Sequence, residues 1–280
     1  MVSRSEAAQP PAGVTAYRDL AYVENGHERQ KLDLYLPEVG ENRPLIIWIH
    51  GGAFRMGSKE GNAHDQLPFE YLAQGYALAS LNYRLSQHAI FPAQIEDCKA
   101  AVRWLRARSA EFKLDPGRFA AWGPSAGGHL AAILGTAGHA TEFEVGAHLD
   151  VSSRVQCVVD YFGPTDFLQM DAQRLPYGMV HDLADSPESE LVGGAIQENP
   201  ERVARANPIT YVTADVPPFL IVHGNRDPLV PFQQSILLVA ALGNVGADVT
   251  FCTVAGAGHG QFTDPQVPAL TKAFLAKHLE

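Results

Sequence analysis

The sequence predicts an α/β protein built on a mostly parallel sheet, and three observations carry that expectation. Short apolar runs alternate with longer helical patterns along the chain. Several runs are apolar at nearly every position, as a strand covered on both faces requires. At 280 residues the chain can bury a sizeable core without covalent staples, because the buried fraction rises with size.

Residues 15–23 and 31–36 alternate polar and apolar side chains and read as a strand pair at a sheet edge. Residues 44–50, Pro-Leu-Ile-Ile-Trp-Ile-His, read as a strand buried on both faces, and so do 76–83, 118–122, 155–162, 218–223 and 248–254. Eight strands result, the last six alternating with helices. The clearest helical pattern is 92–112, with Ile95, Cys98, Val102 and Leu105 on one face and Pro92 in its first turn. Residues 64–74, 125–135, 232–242 and 265–279 are also expected to be helical.

One region breaks the alternation. Pro176, Pro187, Pro200, Pro208, Pro217 and Pro218 fall between the strand ending at Phe162 and the strand beginning near Phe219. That stretch is too long for an ordinary strand-to-helix loop. It predicts a cap insertion at about 164–216, holding short helices such as 201–205, within a single domain over 1–280. A passive surface excursion is the competing reading.

A formal net charge of −10 argues against a nucleic-acid partner, since phosphate binding rests on Lys and Arg. Cys98, Cys157 and Cys252 are odd in number and widely spaced, without a CxxC or zinc pattern, and are expected to be buried free thiols. No run approaches the roughly 20 apolar residues that cross a bilayer. Residues 1–13 are polar and Pro-rich with no apolar signal-peptide core, so a cytoplasmic location without membrane association is expected.

The chemistry concentrates in four loops. Gly123-Pro-Ser-Ala-Gly127 follows an apolar strand and opens a small-residue helix, the context in which G-x-S-x-G forms a nucleophile elbow. Such a turn strains the Ser125 backbone and lifts its hydroxyl clear of the sheet, while the helix N-terminus favours developing negative charge. His50-Gly-Gly-Ala-Phe54 follows the 44–50 strand in the order of an HGGG-type loop. Gly51, Gly52 and Ala126 are assigned as main-chain N–H donors to an oxyanion.

The triad order of such enzymes is Ser, acid, His. Asp227 lies in the turn after the 218–223 strand, and His259 in the loop after 248–254. His278, in the C-terminal helical pattern, is the other histidine after Asp227, which leaves His259 as the base. Asp227 is assigned as the acid, with Asp160 and Asp166 near an earlier strand end as alternatives. His50 is expected to brace the oxyanion loop, and His129 and His223 to be packed or hydrogen-bonded. No metal-ligand cluster stands out.

With these residues assembled, the chain resembles the esterase/lipase branch of the α/β hydrolases, and in particular the small bacterial esterases grouped with feruloyl and acetyl-xylan esterases. The resembling stretches are 32–37, 50–54, 81–85, 91–97, 122–130, 161–166, 223–231 and 258–259, over most of the chain from about residue 30. The resemblance implies an α/β-hydrolase fold: a mostly parallel eight-stranded sheet flanked by helices, with a cap insertion. It implies a carboxylic ester hydrolase that needs no cofactor. Expected substrates are short-chain or aryl esters, including feruloyl or acetyl esters of plant polysaccharides. Phe54, Met56, Phe167, Met170 and Tyr177 are assigned to the substrate pocket, with simple core residues as the alternative. Two departures stand out. Ala53 replaces a third loop glycine, which matters little because the donors are main-chain amides. Pro124 precedes the serine, where a polar residue is more usual; its fixed φ suits a strand end. An arylformamidase-like amide hydrolase is the rival enzyme, and a non-catalytic binding protein on the same fold the rival from another class.

Overall fold

The computed structural model describes residues 9–61, 66–260 and 262–280. The strand patterns form β1 (Val14–Ala21), β2 (Lys31–Pro37), β3 (Arg43–Ile49), β4 (Ala77–Leu81), β5 (Leu114–Pro124), β6 (Cys157–Tyr161), β7 (Phe219–Gly224) and β8 (Val249–Val254). They build one eight-stranded sheet in the order β1-β2-β4-β3-β5-β6-β7-β8. β1 pairs with β2, and β2 with β4, antiparallel; the other pairs are parallel. β1 alternates half-buried and exposed residues, as the edge position requires.

The central strands bury both faces. Along β3, Leu45, Ile47 and Ile49 enter one apolar cluster while Ile46 and Trp48 enter another, because successive side chains point to opposite faces. The helices are α1 (Ala93–Ala107), α2 (Ser109–Phe112), α3 (Ala126–Thr136), α4 (Met170–Gln173), α5 (Pro187–Val192), α6 (Pro200–Ala206), α7 (Gln233–Asn244) and α8 (Gln266–Leu279). Residues of α1, α3 and α7 fill the first cluster; α8 and a 3-10 helix at Phe69–Gln74 cover the second.

Three expectations need correction. The helix expected over 64–74 is the shorter 3-10 helix, because Pro68 biases the residue before it away from helical geometry; residues 64 and 65 lie outside the described residues. The 92–112 pattern is two helices that break at Arg108, whose φ of −105° leaves the helical range. Cys98 and Cys157 are buried free thiols, but Cys252 is half-buried, since β8 is the opposite edge strand. Among the described residues, no helix is long and apolar enough to cross a membrane.

The stretch between β6 and β7 holds α4, α5 and α6 with short 3-10 turns. Its Phe167, Met170, Leu191, Ile196 and Val203 are buried in the same cluster as Leu45 and Leu130, so it is continuous with the main core. α5 is capped by Ser186, whose hydroxyl accepts from Ser189 N–H, with Pro187 in its first turn. His181 ties this stretch to the loop after β7. Its Nδ1 lies 3.0 Å from Glu188 and its Nε2 3.0 Å from the Leu229 carbonyl, two acceptors that together favour the imidazolium.

Burial works against that charge, but the Glu188 hydrogen bond and its charge outweigh it and raise the His181 pKa. A raised folded-state pKa contributes stability that is fully present below about pH 6.5 and is lost as pH climbs through the folded value. His181→Gln is therefore expected to lower Tm most at acidic pH, with the gap to the parent narrowing as pH rises past the ordinary histidine range. A gap that is constant or widens with pH, measured by thermal melts, would contradict this.

Candidate active site

Four loops at the carboxyl ends of β3, β5, β7 and β8 meet above the sheet, the usual place for a site in an open α/β sheet. Ser125 sits between β5 and α3 with φ 54° and ψ −122°, a conformation that L residues rarely adopt. Neighbouring glycines make that turn possible. A Cβ on Gly127 would collide with the Ile49 carbonyl, and one on Gly123 with the Gly127 backbone. The Ser125 N–H donates to Tyr161 O at 2.8 Å, holding the turn against β6.

Asp227 and His259 are brought together by the parallel pairing of β7 and β8. Asn225 N–H donates to Val254 O at 3.2 Å and Arg226 N–H to Ala257 O at 2.9 Å, so the two loops interlock. His259 Nδ1 lies 2.7 Å from Asp227 Oδ2, and its Nε2 lies 3.0 Å from Ser125 Oγ. A carboxylate can only accept, so Nδ1 carries the proton and Nε2 is left to accept from the serine hydroxyl. Burial opposes ionisation of Asp227, yet hydrogen bonds from His223 and His259 hold its carboxyl well below the usual carboxylate range.

The alternatives for the acid make other contacts. Asp160 Oδ1 accepts from Gly163 N–H at 2.9 Å, and burial pushes the carboxyl up to about 7. Asp166 accepts from Leu168 N–H at 3.2 Å, capping a turn at the start of the insertion.

The His50–Phe54 loop abuts the elbow. A Cβ on Gly51 would lie 3.0 Å from the Pro124 carbonyl and 3.6 Å from Ser125 Cβ. His50 is fully buried, and burial lowers its pKa to about 3. Arg29 Nη2 lies 3.0 Å from His50 Nε2 and can only donate, so Nδ1 carries the proton and donates to Gly51 O at 2.7 Å. Because the peptide is planar and trans, a Gly51 carbonyl turned toward the imidazole turns the Gly52 N–H away from it. Ala126 opens α3, so its N–H belongs to the first turn, where helix donors have no intrahelical partner.

None of the five side chains assigned to the substrate pocket lines the aromatic cavity beside the elbow. Phe54, Phe167 and Met170 are buried in the core, where Phe54 packs against His129 and Phe167. Met56 and Tyr177 are exposed. A cavity of about 340 Å³ instead opens beside the elbow, lined by Trp48, Tyr71, Trp122, Tyr161, Phe162 and Phe262 along with Pro124. The Phe162 ring meets the His259 ring edge-on at 4.6 Å. Sequence reasoning missed this wall, although aromatics lie within three residues of three motifs: Trp48 two before His50, Trp122 directly before Gly123, and Phe262 three after His259. Among the described residues, no group of three or more His, Cys, Asp or Glu side chains is placed to hold a metal.

The BD-FAE family model matches residues 32–242. The chain is 33% identical over 221 residues to the probable carboxylic ester hydrolase LipM of Mycobacterium tuberculosis, covering 78% of this chain and 49% of that protein. It is 31% identical over 245 residues to esterase LipQ of the same organism, covering 86% of this chain and 56% of the relative. The chain thus spans about half the length of these curated relatives. A truncated carbohydrate esterase from gut microbiota superposes with a TM-score of 0.85 at 33% identity, covering 96% of this chain and 98% of that one. The fold is that of the α/β hydrolases, as the motifs predicted.

Proposed function

This chain belongs to the BD-FAE family, and from that premise we propose that it is a serine carboxylic ester hydrolase with Ser125 as nucleophile, His259 as base and Asp227 as acid. The observation that carries the reading is the continuous relay of 3.0 Å and 2.7 Å from Ser125 through His259 to Asp227. Ser125 Oγ attacks the ester carbonyl as His259 Nε2 takes its proton. The main-chain N–H groups of Gly51, Gly52 and Ala126 stabilise the tetrahedral oxyanion. His259 then protonates the leaving alcohol, and water releases the acyl group by the same route. Asp227 orients His259 and stabilises the imidazolium.

The substrates in this reading are short-chain or aryl esters, with feruloyl or acetyl esters of plant polysaccharides as the candidates. The aromatic cavity beside His259 supports a ring, and the carbohydrate esterase among the structural relatives supports a sugar ester. The insertion at about 164–216 acts as the cap of this single domain. It braces the oxyanion loop through the Arg55–Glu190 ion pair at 2.8 Å and the Phe54–Phe167 contact. The modest volume of the aromatic cavity, about 340 Å³, supports a short acyl group.

The test is a panel of p-nitrophenyl esters from C2 to C12 with methyl ferulate and acetylated xylan. Each methylene gains about 0.8 kcal/mol only while the pocket buries it. Accordingly, kcat/KM is expected to peak at C2 to C4 and to fall by C8. A profile still climbing at C12, with activation at an oil–water interface, would make this a lipase and overturn the short-pocket reading.

A further inference from the structure

We propose that His223 is a positioning residue of the site: a second imidazole that fixes the Asp227 carboxylate and limits how strongly it attracts the proton of His259. The inference rests on the roles given above to Asp227 and His259.

His223 is the penultimate residue of β7 and is fully buried. Its Nε2 lies 3.2 Å from Asp227 Oδ2 and 3.1 Å from the Val230 carbonyl. Both neighbours are acceptors, so Nε2 must carry a hydrogen. Nδ1 lies 2.7 Å from Ser235 Oγ on α7, and in neutral His223 it accepts from that hydroxyl, which holds this tautomer.

The remaining acceptor capacity of Asp227 is also used. Oδ1 takes Leu229 N–H at 2.7 Å and Val230 N–H at 2.9 Å, while Oδ2 takes His259 at 2.7 Å. An ionised carboxylate offers about four lone-pair sites, and four donors face this one. Its plane is thereby fixed, with Oδ2 aimed at His259. Of the facing groups, the two imidazoles are titratable; Phe162 and Phe232 pack against His223 as uncharged rings.

The division of Oδ2 between two donors has a chemical consequence. Electron density committed to His223 is withheld from His259, so the carboxylate favours the His259 imidazolium less than an undivided one would. Removing the His223 donor is expected to do two things. It loosens the carboxylate, which lowers kcat, and it concentrates the charge on His259, which keeps that ring protonated to higher pH.

The experiment compares His223→Phe, His223→Gln and Ser235→Ala in the full chain, by p-nitrophenyl acetate kinetics across pH. Phe keeps a ring of similar volume without a donor, whereas Gln can place an N–H near the Nε2 position. His223→Phe is expected to lose about tenfold to a hundredfold in kcat, the scale of a lost hydrogen bond to a charged group. KM stays near the parent value, and the acid limb of kcat/KM moves to higher pH. His223→Gln recovers most of both, and Ser235→Ala moves the acid limb the same way by less.

A His223→Phe enzyme with parent kcat and pH profile would overturn the proposal, as would a folded His223→Gln as impaired as His223→Phe. If His223→Phe fails to fold, Ser235→Ala decides: a displaced acid limb supports the proposal and an unmoved one overturns it. Asp227→Asn separates the two levels. Full activity there would defeat the reading of the relay itself. An inactive Asp227→Asn beside an unaffected His223→Phe would defeat only the role of His223.

Discussion

Ser125→Ala is expected to fold normally and to lose on the order of a million-fold in kcat, the scale set by removal of a triad nucleophile. Folding should survive because the positive φ is imposed by the elbow and strains any L residue equally, and because the exchange removes only one oxygen from a half-buried position. What disappears is the atom proposed to form the acyl-enzyme. His259 loses the hydroxyl 3.0 Å from its Nε2, while the proposed oxyanion donors, being main-chain groups, stay in place. Some rate above the uncatalysed reaction should therefore persist. An organophosphate probe followed by peptide mapping checks the same point independently: the parent is labelled at Ser125 and the variant is not. Labelling of the variant at another serine, or a loss of only a few-fold, would mean that the elbow has been misread.

Asp227→Asn is expected to cost roughly ten-thousand-fold, because an amide favours the wrong tautomer of the base. Asp227 accepts from Leu229 and Val230 N–H through one oxygen and from His259 and His223 through the other. An asparagine can present one oxygen to one of these pairs, and its NH₂ must face the other. Holding the oxygen on the two main-chain donors turns the NH₂ toward His259. The imidazole then accepts at Nδ1 and carries its proton on Nε2, where it cannot take one from Ser125. Matched kinetics on Asp227→Asn and Asp160→Asn decide the assignment. If Asp160→Asn causes the large loss while Asp227→Asn stays active, the acid lies on β6 instead. The pH dependence has a definite sign too. Since Asp227 is held well below the usual carboxylate range, it stays ionised through mildly acid solution, and a fall in activity there is not expected to come from Asp227.

Some of this was legible in the residues alone. The alternation of apolar runs and helical patterns specified eight strands, because a strand covered on both faces has to be apolar at nearly every position. The elbow was legible because only glycines at 123 and 127 let β5, α3 and the Ile49 carbonyl approach so closely. Such local requirements leave marks at fixed spacings. The 64–74 pattern shows the limit: apolar spacing suggested a full helix, and Pro68 restricts it to a short 3-10 turn.

What joins distant segments leaves no such mark, and tertiary structure decided it. His259 is 32 residues from Asp227 and 134 from Ser125, and only the pairing of β5 through β8 carries them to one point. The same holds for the pocket. Phe54 suggests a pocket residue by its place at the end of the His50–Phe54 loop, and Phe167 and Met170 by theirs in the expected cap, but all three are buried in the core. Trp48, Trp122, Phe162 and Phe262 come from four separate loops or strands and form one wall. Sequence alone determined the fold class and the residue types its turns demand, because backbone geometry and burial act on each short stretch in place. Which aromatics wall the cavity beside the elbow, and that His223 shares Asp227 with His259, depend on packing between elements far apart in the chain, so only the assembled sheet could decide them.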